Sequence, residues 1–539
     1  MINLLDAALA LLALLIAASL AARKFSLQEP LLFVLTGLAV SFVPGLPAIH
    51  LDPQLVMDIF LPLLVYATAI EVPWRAFRAN LRPIGFLGIG LVLFTTFGIA
   101  AVAHAIVPGL EWPAAFVLGA LISPPDEVAA ASVLQHLPIP QRLVVILKGE
   151  GLVNDVTALT IFRLGVAATV SGSFSLSHAS IFFLAASVGG TLYGFAVGWV
   201  ALRLRRFLDD PRLEVTVSLM TPFVAYLVPE HFGSTGVLAV AVAGLVVNEH
   251  SPHMISAETR LHAMPVWAMI EFLLNGVLFL LLGLQVKTVV SSVPQGSVES
   301  AVLVAAWIAA AIVVLRFAWV YLTIYSRWLW RRRDHAPVEA PRRSHVFLIS
   351  WAGMRGAISL AAALAIPLTL PDGRPFPARE LLIFVTFTVI LATLILQGGS
   401  LPFVIRALGI EREGARERET QVAREFEGRL EVIDAGIARL EELATAREIP
   451  EEVSVRHRHQ LEHARRTLRR QLAGQKDPAI EKIAEREHFS NAQAVDAQRA
   501  KLLQLRSDGK IDDDIVHRIE RDLDEEERRL QGEEATLRG

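Results

Sequence analysis

The sequence predicts an all-α polytopic membrane protein. About thirteen transmembrane helices in two inverted repeats, with two broken crossing helices, precede a small cytosolic helical domain. Three observations carry this reading. Of 539 residues, 53% are hydrophobic, and the mean hydropathy is +0.49, too apolar for an ordinary soluble protein. Residues 1–408 are a series of apolar runs of about 20 residues, each long enough to cross a bilayer, whereas the chain from Glu411 onward is dense in Glu and Arg. With the N-terminus outside, the inner loops carry seventeen Lys and Arg and the outer loops only Lys287, Arg374 and Arg379, a bias that one missed or added helix would scramble.

The first span, 3–22, lacks a basic leader and a cleavage site, so it reads as a membrane helix and not a signal peptide. Apolar runs then place spans at 30–43, 53–71, 83–107, 112–135, 141–170, 178–203, 213–229, 235–248, 264–284, 299–328, 345–369 and 379–405. Two of them should be interrupted. Consecutive prolines in Ser123-Pro124-Pro125-Asp126-Glu127 remove backbone donors from the fifth. Gly353-Met354-Arg355-Gly356 permits a break in the twelfth. Bare backbone at membrane depth survives only inside protein or beside a cavity, so paired breaks suggest an inverted repeat with the binding site between its halves.

The domains expected are 1–408, a transmembrane transport domain with core and dimerisation bundles, and 409–539, a cytosolic helical domain. In the latter, Leu430, Ile433, Ile437, Leu440 and Leu443 form one apolar stripe at helical spacing. A solvated appendage and a regulatory role are both open to it. A net charge of −3 gives no reason to expect a nucleic-acid partner, and the absence of cysteine excludes disulfides and thiolate metal sites.

Charges inside the spans point to the chemistry. Asp155 follows Asn154 on the sixth span, where a bare carboxylate costs several kcal/mol. A proton or a cation relieves that cost, so the two compete for one group, the minimum for exchange. Gly151 lies one helical turn earlier and should leave room beside Asp155 for an ion or a water. Asp126, in the opened fifth span, either binds the ion with carbonyls freed by the break, Pro125 among them, or offsets the N-terminus of the following half-helix. Glu127 is its neighbour. Glu150 is expected to pair with Arg355 as a structural link, Lys148 to snorkel inward, and Arg163 and Arg316 to meet loop or tail carboxylates. His104 and His136 read as helix-end residues.

Three blocks, Ser123-Pro124-Pro125-Asp126-Glu127-Val128-Ala129, Gly149-Glu150-Gly151-Leu152-Val153-Asn154-Asp155 and Trp351-Ala352-Gly353-Met354-Arg355-Gly356-Ala357-Ile358-Ser359, resemble the NhaP-like sodium/proton antiporters of the monovalent cation:proton antiporter-1 family. The resemblance spans 1–408 and implies a secondary transporter, not an enzyme, that exchanges one cation, sodium first, for one proton. It implies Asp155 as the ion- and proton-binding aspartate, Asn154 as the polar neighbour typical of electroneutral members, Asp126 as the acid of the unwound helix, and Glu150 with Arg355 as the buried pair. It further implies a homodimer in the lipid of a bacterial inner membrane, N-terminus outside and C-terminus cytoplasmic, with no cofactor beyond the transported ions. Many members have serine at Gly151, threonine at Pro125 and some an acid near Tyr66, so this chain offers fewer oxygen ligands. Potassium or lithium exchange, a cation channel or sensor, and an intramembrane protease on Asp126 and Asp155 are the competing readings; the last lacks a Gly-x-Gly-Asp signature.

Overall fold

The computed structural model describes residues 4–25, 27–44, 52–134, 137–172, 176–208, 210–254, 257–292, 298–333, 340–472, 478–508 and parts of 515–527. His136 lies outside them. The chain divides into two compact units, Met1–Ala415 and Arg416–Gly539.

In the first unit helix occupies every stretch expected to be a span. The elements are α1 (Leu4–Phe25), α2 (Glu29–Ser41), α3 (Pro53–Glu71), α4 (Trp74–Ala79), α5 (Leu81–Ile106), α6 (Trp112–Ile122), α7 (Glu127–Leu134), α8 (Gln141–Ser171), α9 (Leu176–Arg205), α10 (Pro211–His231), α11 (Gly236–Met254) and α12 (Ala257–Leu284). They continue as α13 (Val286–Ser292), α14 (Val298–Arg333), α15 (Arg343–Trp351), α16 (Ala357–Leu364) and α17 (Arg379–Ala407). Among the described residues, nine helical stretches are long and apolar enough to cross a membrane, so this is a multi-pass membrane protein. Both expected interruptions are present, between α6 and α7 and between α15 and α16.

The helices sort into two bundles. In one, α9 packs on α10 and α11, α11 on α3, and α12 along α2. In the other, α5 packs on α6 and α14, α8 on α5 and α6, and α14 on α17. In a lipid solvent helices associate through close contact of small residues more than through burial from water. The α9–α11 seam shows this: Gly190, Gly194 and Gly198 recur every four residues, and a Cβ on each would strike backbone at Thr235, just before α11, or at Ala239 or Ala243 within it. The bundles meet where α8 of the second faces α3 and α11 of the first, and the two interrupted helices lie beside that contact.

The second unit holds most of α18 (Ile410–Thr445), α19 (Glu451–Leu472) and α20 (Pro478–Ser507). Asp434 of α18 pairs with Arg465 of α19 at 3.0 Å. Ile437 of the predicted stripe is buried.

Candidate ion-binding site

The two breaks are tied to one another. The Asp126 N–H donates to the Met354 carbonyl at 2.6 Å, and Arg355 Nη1 donates to the Ser123 carbonyl at 2.5 Å. The Arg355 N–H donates to Thr393 Oγ1 at 3.1 Å. Each broken end thereby gains the partner its dipole calls for. Carbonyls left free at a helix C-terminus are acceptors with partial negative charge, and free N–H groups at an N-terminus are donors with partial positive charge. Arg355 meets the C-terminal end of α6. Asp126 caps α7, its Oδ1 accepting the Val128 N–H at 2.9 Å and the Ala129 N–H at 3.4 Å. Its Oδ2 lies against Gly356, where α16 begins. Asp126 thus faces two helix N-termini at once.

Asn154, fully buried, donates from Nδ2 to the Pro125 carbonyl at 2.8 Å and latches α8 to the first break. This uses one lone pair of the carbonyl that the opened helix exposes. Its Oδ1 has no donor among the described residues.

Two expectations need correction. Glu150 pairs with Arg316, not Arg355. Arg316 Nη1 and Nη2 donate to the two Glu150 oxygens at 2.6 and 3.0 Å, and both side chains are 1% exposed. Arg316 also donates to the Ile349 carbonyl at 3.1 and 2.9 Å and to the Ala352 carbonyl at 3.3 Å. A guanidinium fork can satisfy a carboxylate and a helix C-terminus together, so the cation on α14 serves both Glu150 and the end of α15. Arg355 is held at the other break instead, and among the described residues Arg316 meets no loop or tail carboxylate. The second correction concerns Gly151. The space beside it is not open: a Cβ there would meet the Glu127 carboxylate and side chain. Glu127, the first residue of α7, folds back over this turn of α8.

The Asp155 carboxylate has no hydrogen bond or ion pair among the described residues. It borders two cavities. One, of about 40 Å³, is lined by Asp126, Glu127, Asp155, Asn275 and Ser359 among apolar neighbours including Pro124, Leu64 and Phe279. That is room for an ion with one or two waters. The other, of about 10 Å³, lies further along α8 between Asp155, Ala158, Phe162 and the α6 residues Ala120 and Leu121, and is too tight for more than one water.

Elsewhere, Lys148 pairs with Glu71 of α3 at 3.3 Å, and Arg163 with Glu230 of α10 at 2.6 Å. His104, at the end of α5, contacts the Leu110 carbonyl through Nδ1. Tyr66 is fully buried against Trp267 and accepts from Arg205 Nη2 at 3.4 Å, away from the cavity lining. Sequence reasoning gave Arg316 the wrong partner and assigned no role to Thr393, Asn275 or Ser359. Arg316 carried a signal, a charge midway along a 36-residue apolar helix; the hydroxyls and the amide carried none.

Residues 9–407 match the family model described as the transmembrane sodium/hydrogen exchanger. The chain is 33% identical over 528 residues to an uncharacterized Na+/H+ exchanger of Mycobacterium tuberculosis, covering 97% of this chain and 95% of the relative. It is 34% identical over 409 residues to a sodium, potassium, lithium and rubidium/H+ antiporter of Bacillus pumilus, covering 74% and 61% respectively. The fold is similar to the sodium proton antiporter MjNhaP1 of Methanocaldococcus jannaschii, with a TM-score of 0.60 and 17% identity over 75% of this chain and 99% of that one. With most of its length matched, this chain belongs to the sodium/hydrogen exchanger family of membrane antiporters, which exchange monovalent cations for protons.

Proposed function

We propose that the protein exchanges sodium for a proton, one for one, by competition of the two at Asp155. The observation that carries this is a carboxylate with no partner among the described residues, at the edge of a largely apolar cavity that holds further acidic side chains, next to opened backbone. A bare carboxylate is strongly disfavoured in a low-dielectric interior, whereas a protonated or cation-occupied one is not. The loaded site therefore crosses between the two faces and the empty charged site does not. That asymmetry couples the fluxes. Asp126 and the oxygens of Asn154 and Pro125 complete the ion's surroundings, and Glu150 with Arg316 is structural.

The orientation proposed is N-terminus outside and C-terminus cytoplasmic in a bacterial inner membrane, from the seventeen-to-three distribution of basic loop residues. The larger cavity then lies on the inward path and the smaller one on the outward path. We read the chain as thirteen crossings in two inverted repeats, a homodimer joined through the α9–α11 bundle, with a cytosolic unit after the spans. The relatives of Bacillus that carry several alkali ions favour potassium or lithium as further substrates.

The test is purified protein in liposomes with a preset pH gradient. Sodium added outside should dissipate the gradient equally with and without a potassium-ionophore voltage clamp. Dissipation that follows the clamped voltage would mark a channel or an electrogenic exchanger.

A further inference from the structure

We propose that Glu127 is a cation-coordinating residue of this exchanger, its carboxylate supplying the ion with oxygen ligands one helical turn before Asp155. This rests on the exchange reading above and adds a residue to that site.

The placement follows from the backbone. Asp126 caps α7, so Glu127 is the first residue of that helix and its side chain falls across α8. It lands on Gly151, where a built Cβ would meet its Oε2, Cβ and Cδ. Only a residue without a side chain at 151 lets the carboxylate reach this position. The glycine thus admits an acid from another helix to the turn that precedes Asp155.

The polar balance there is one-sided. The Thr68 hydroxyl bonds the Glu127 carboxylate, but the buried Oε2 has no donor among the described residues. Neither has the Oδ1 of Asn154, a side chain that is fully buried. Among the described residues the Asp155 carboxylate has no partner, and the cation closest along α8, Lys148, is engaged by Glu71 at 3.3 Å. The carboxylates of Glu127 and Asp155 thus line one cavity of about 40 Å³ together with Asp126, and among the described residues neither Glu127 Oε2 nor the Asp155 carboxylate has a protein donor. Buried acceptors without donors cost free energy until something electropositive fills the gap. Hard cations take such oxygens, both carboxylate and amide. No cluster of three acids close enough to clasp a metal ion occurs among the described residues. The set therefore suits a singly charged ion held by one carboxylate at a time, first at Glu127 and then at Asp155.

The experiment measures the sodium concentration that half-saturates exchange in liposomes at fixed pH, and sodium-induced thermal stabilisation of the purified protein in detergent. Glu127→Gln keeps the shape of the side chain, its cover over Gly151 and an acceptor for Thr68. It should raise half-saturation about tenfold, as ~1.4 kcal/mol of lost ligation would, and reduce the stabilisation by sodium, with the sodium-free unfolding temperature kept. Unchanged half-saturation and unchanged sodium stabilisation overturn the proposal. If the Gln variant does not fold, Glu127→Asp, which keeps the charge and draws it back from Gly151, should raise half-saturation severalfold, and a wild-type value is equally fatal. Wild-type protein that exchanges no cation for protons would instead defeat the underlying reading.

Discussion

Arg316 and Glu150 lie 166 residues apart in sequence and form a two-pronged ion pair, 2.6 and 3.0 Å, with neither side chain accessible. Through the same guanidinium α14 also holds the last carbonyls of α15. A buried pair adds little over a well-packed apolar substitute, but removing one partner strands a charge and costs about 3–5 kcal/mol. Glu150→Gln and Arg316→Met alone should each lower the unfolding temperature sharply. The double variant should recover part of the loss. Exchange per folded molecule should fall less than stability, and a single variant with wild-type thermal stability and no exchange would contradict the structural role.

Asp126 can be separated into cap and charge. Asparagine also caps helices well, whereas alanine at such a position costs about 1 kcal/mol. Asp126→Asn should therefore fold like the wild type and show weaker sodium dependence. Asp126→Ala should lose stability as well. Equal destabilisation by both, read by thermal unfolding, would show that the charge facing α7 and α16 matters more than the cap.

Arg163 of α8 and Glu230 of α10 join the two bundles beyond the smaller cavity, and Glu230 also accepts the Gly236 N–H at 2.8 Å. Breaking this pair should loosen the packing of α8 against α10 next to Phe162, on the side proposed to face outward. The chain has no cysteine, so a single Phe162→Cys reports access cleanly. Glu230→Gln should speed its labelling by an impermeant maleimide added from outside. An unchanged labelling rate would remove the pair from any gating role.

Glu413 follows the last span. Burial alone would raise its pKa, but hydrogen bonds from His345 and Arg342, at 3.0 and 2.5 Å, outweigh this and hold the carboxyl below its ordinary value of 4.5. A carboxyl lowered on folding stabilises above its unfolded pKa and loses that contribution as pH falls through the folded one. Protection of residues 410–415 from hydrogen exchange, taken relative to the intrinsic rate at each pH, should fall below about pH 4.5 in the wild type, and Glu413→Gln should flatten that dependence. A Gln variant that keeps the acid-induced loss of protection would assign it to another group.

The sequence made the helices and both interruptions legible because each rests on local chemistry. Apolar runs of membrane length, Pro124-Pro125 and the glycines around Met354 act on their own backbone. Asp155 stood out because a charge inside an apolar span is costly wherever its neighbours lie. The partners were not legible. Glu150 had two buried arginines to choose from, and nothing local says that α14 rather than the second break faces it. Gly151 read as empty space because the side chain that fills it, Glu127, arrives from another helix after a break whose geometry the prolines permit without specifying. Register along a helix is local information, whereas the facing of two helices is not.

The most direct test of shared occupancy at Asp155 is a count of protons released when sodium is added to the purified protein in weakly buffered detergent near neutral pH. The wild type should release up to about one proton per chain, with sodium saturation that weakens as pH falls. Asp155→Asn, folded to the same unfolding temperature, should release none. Release of equal size from the Asn variant would mean that the two ions meet at some other group.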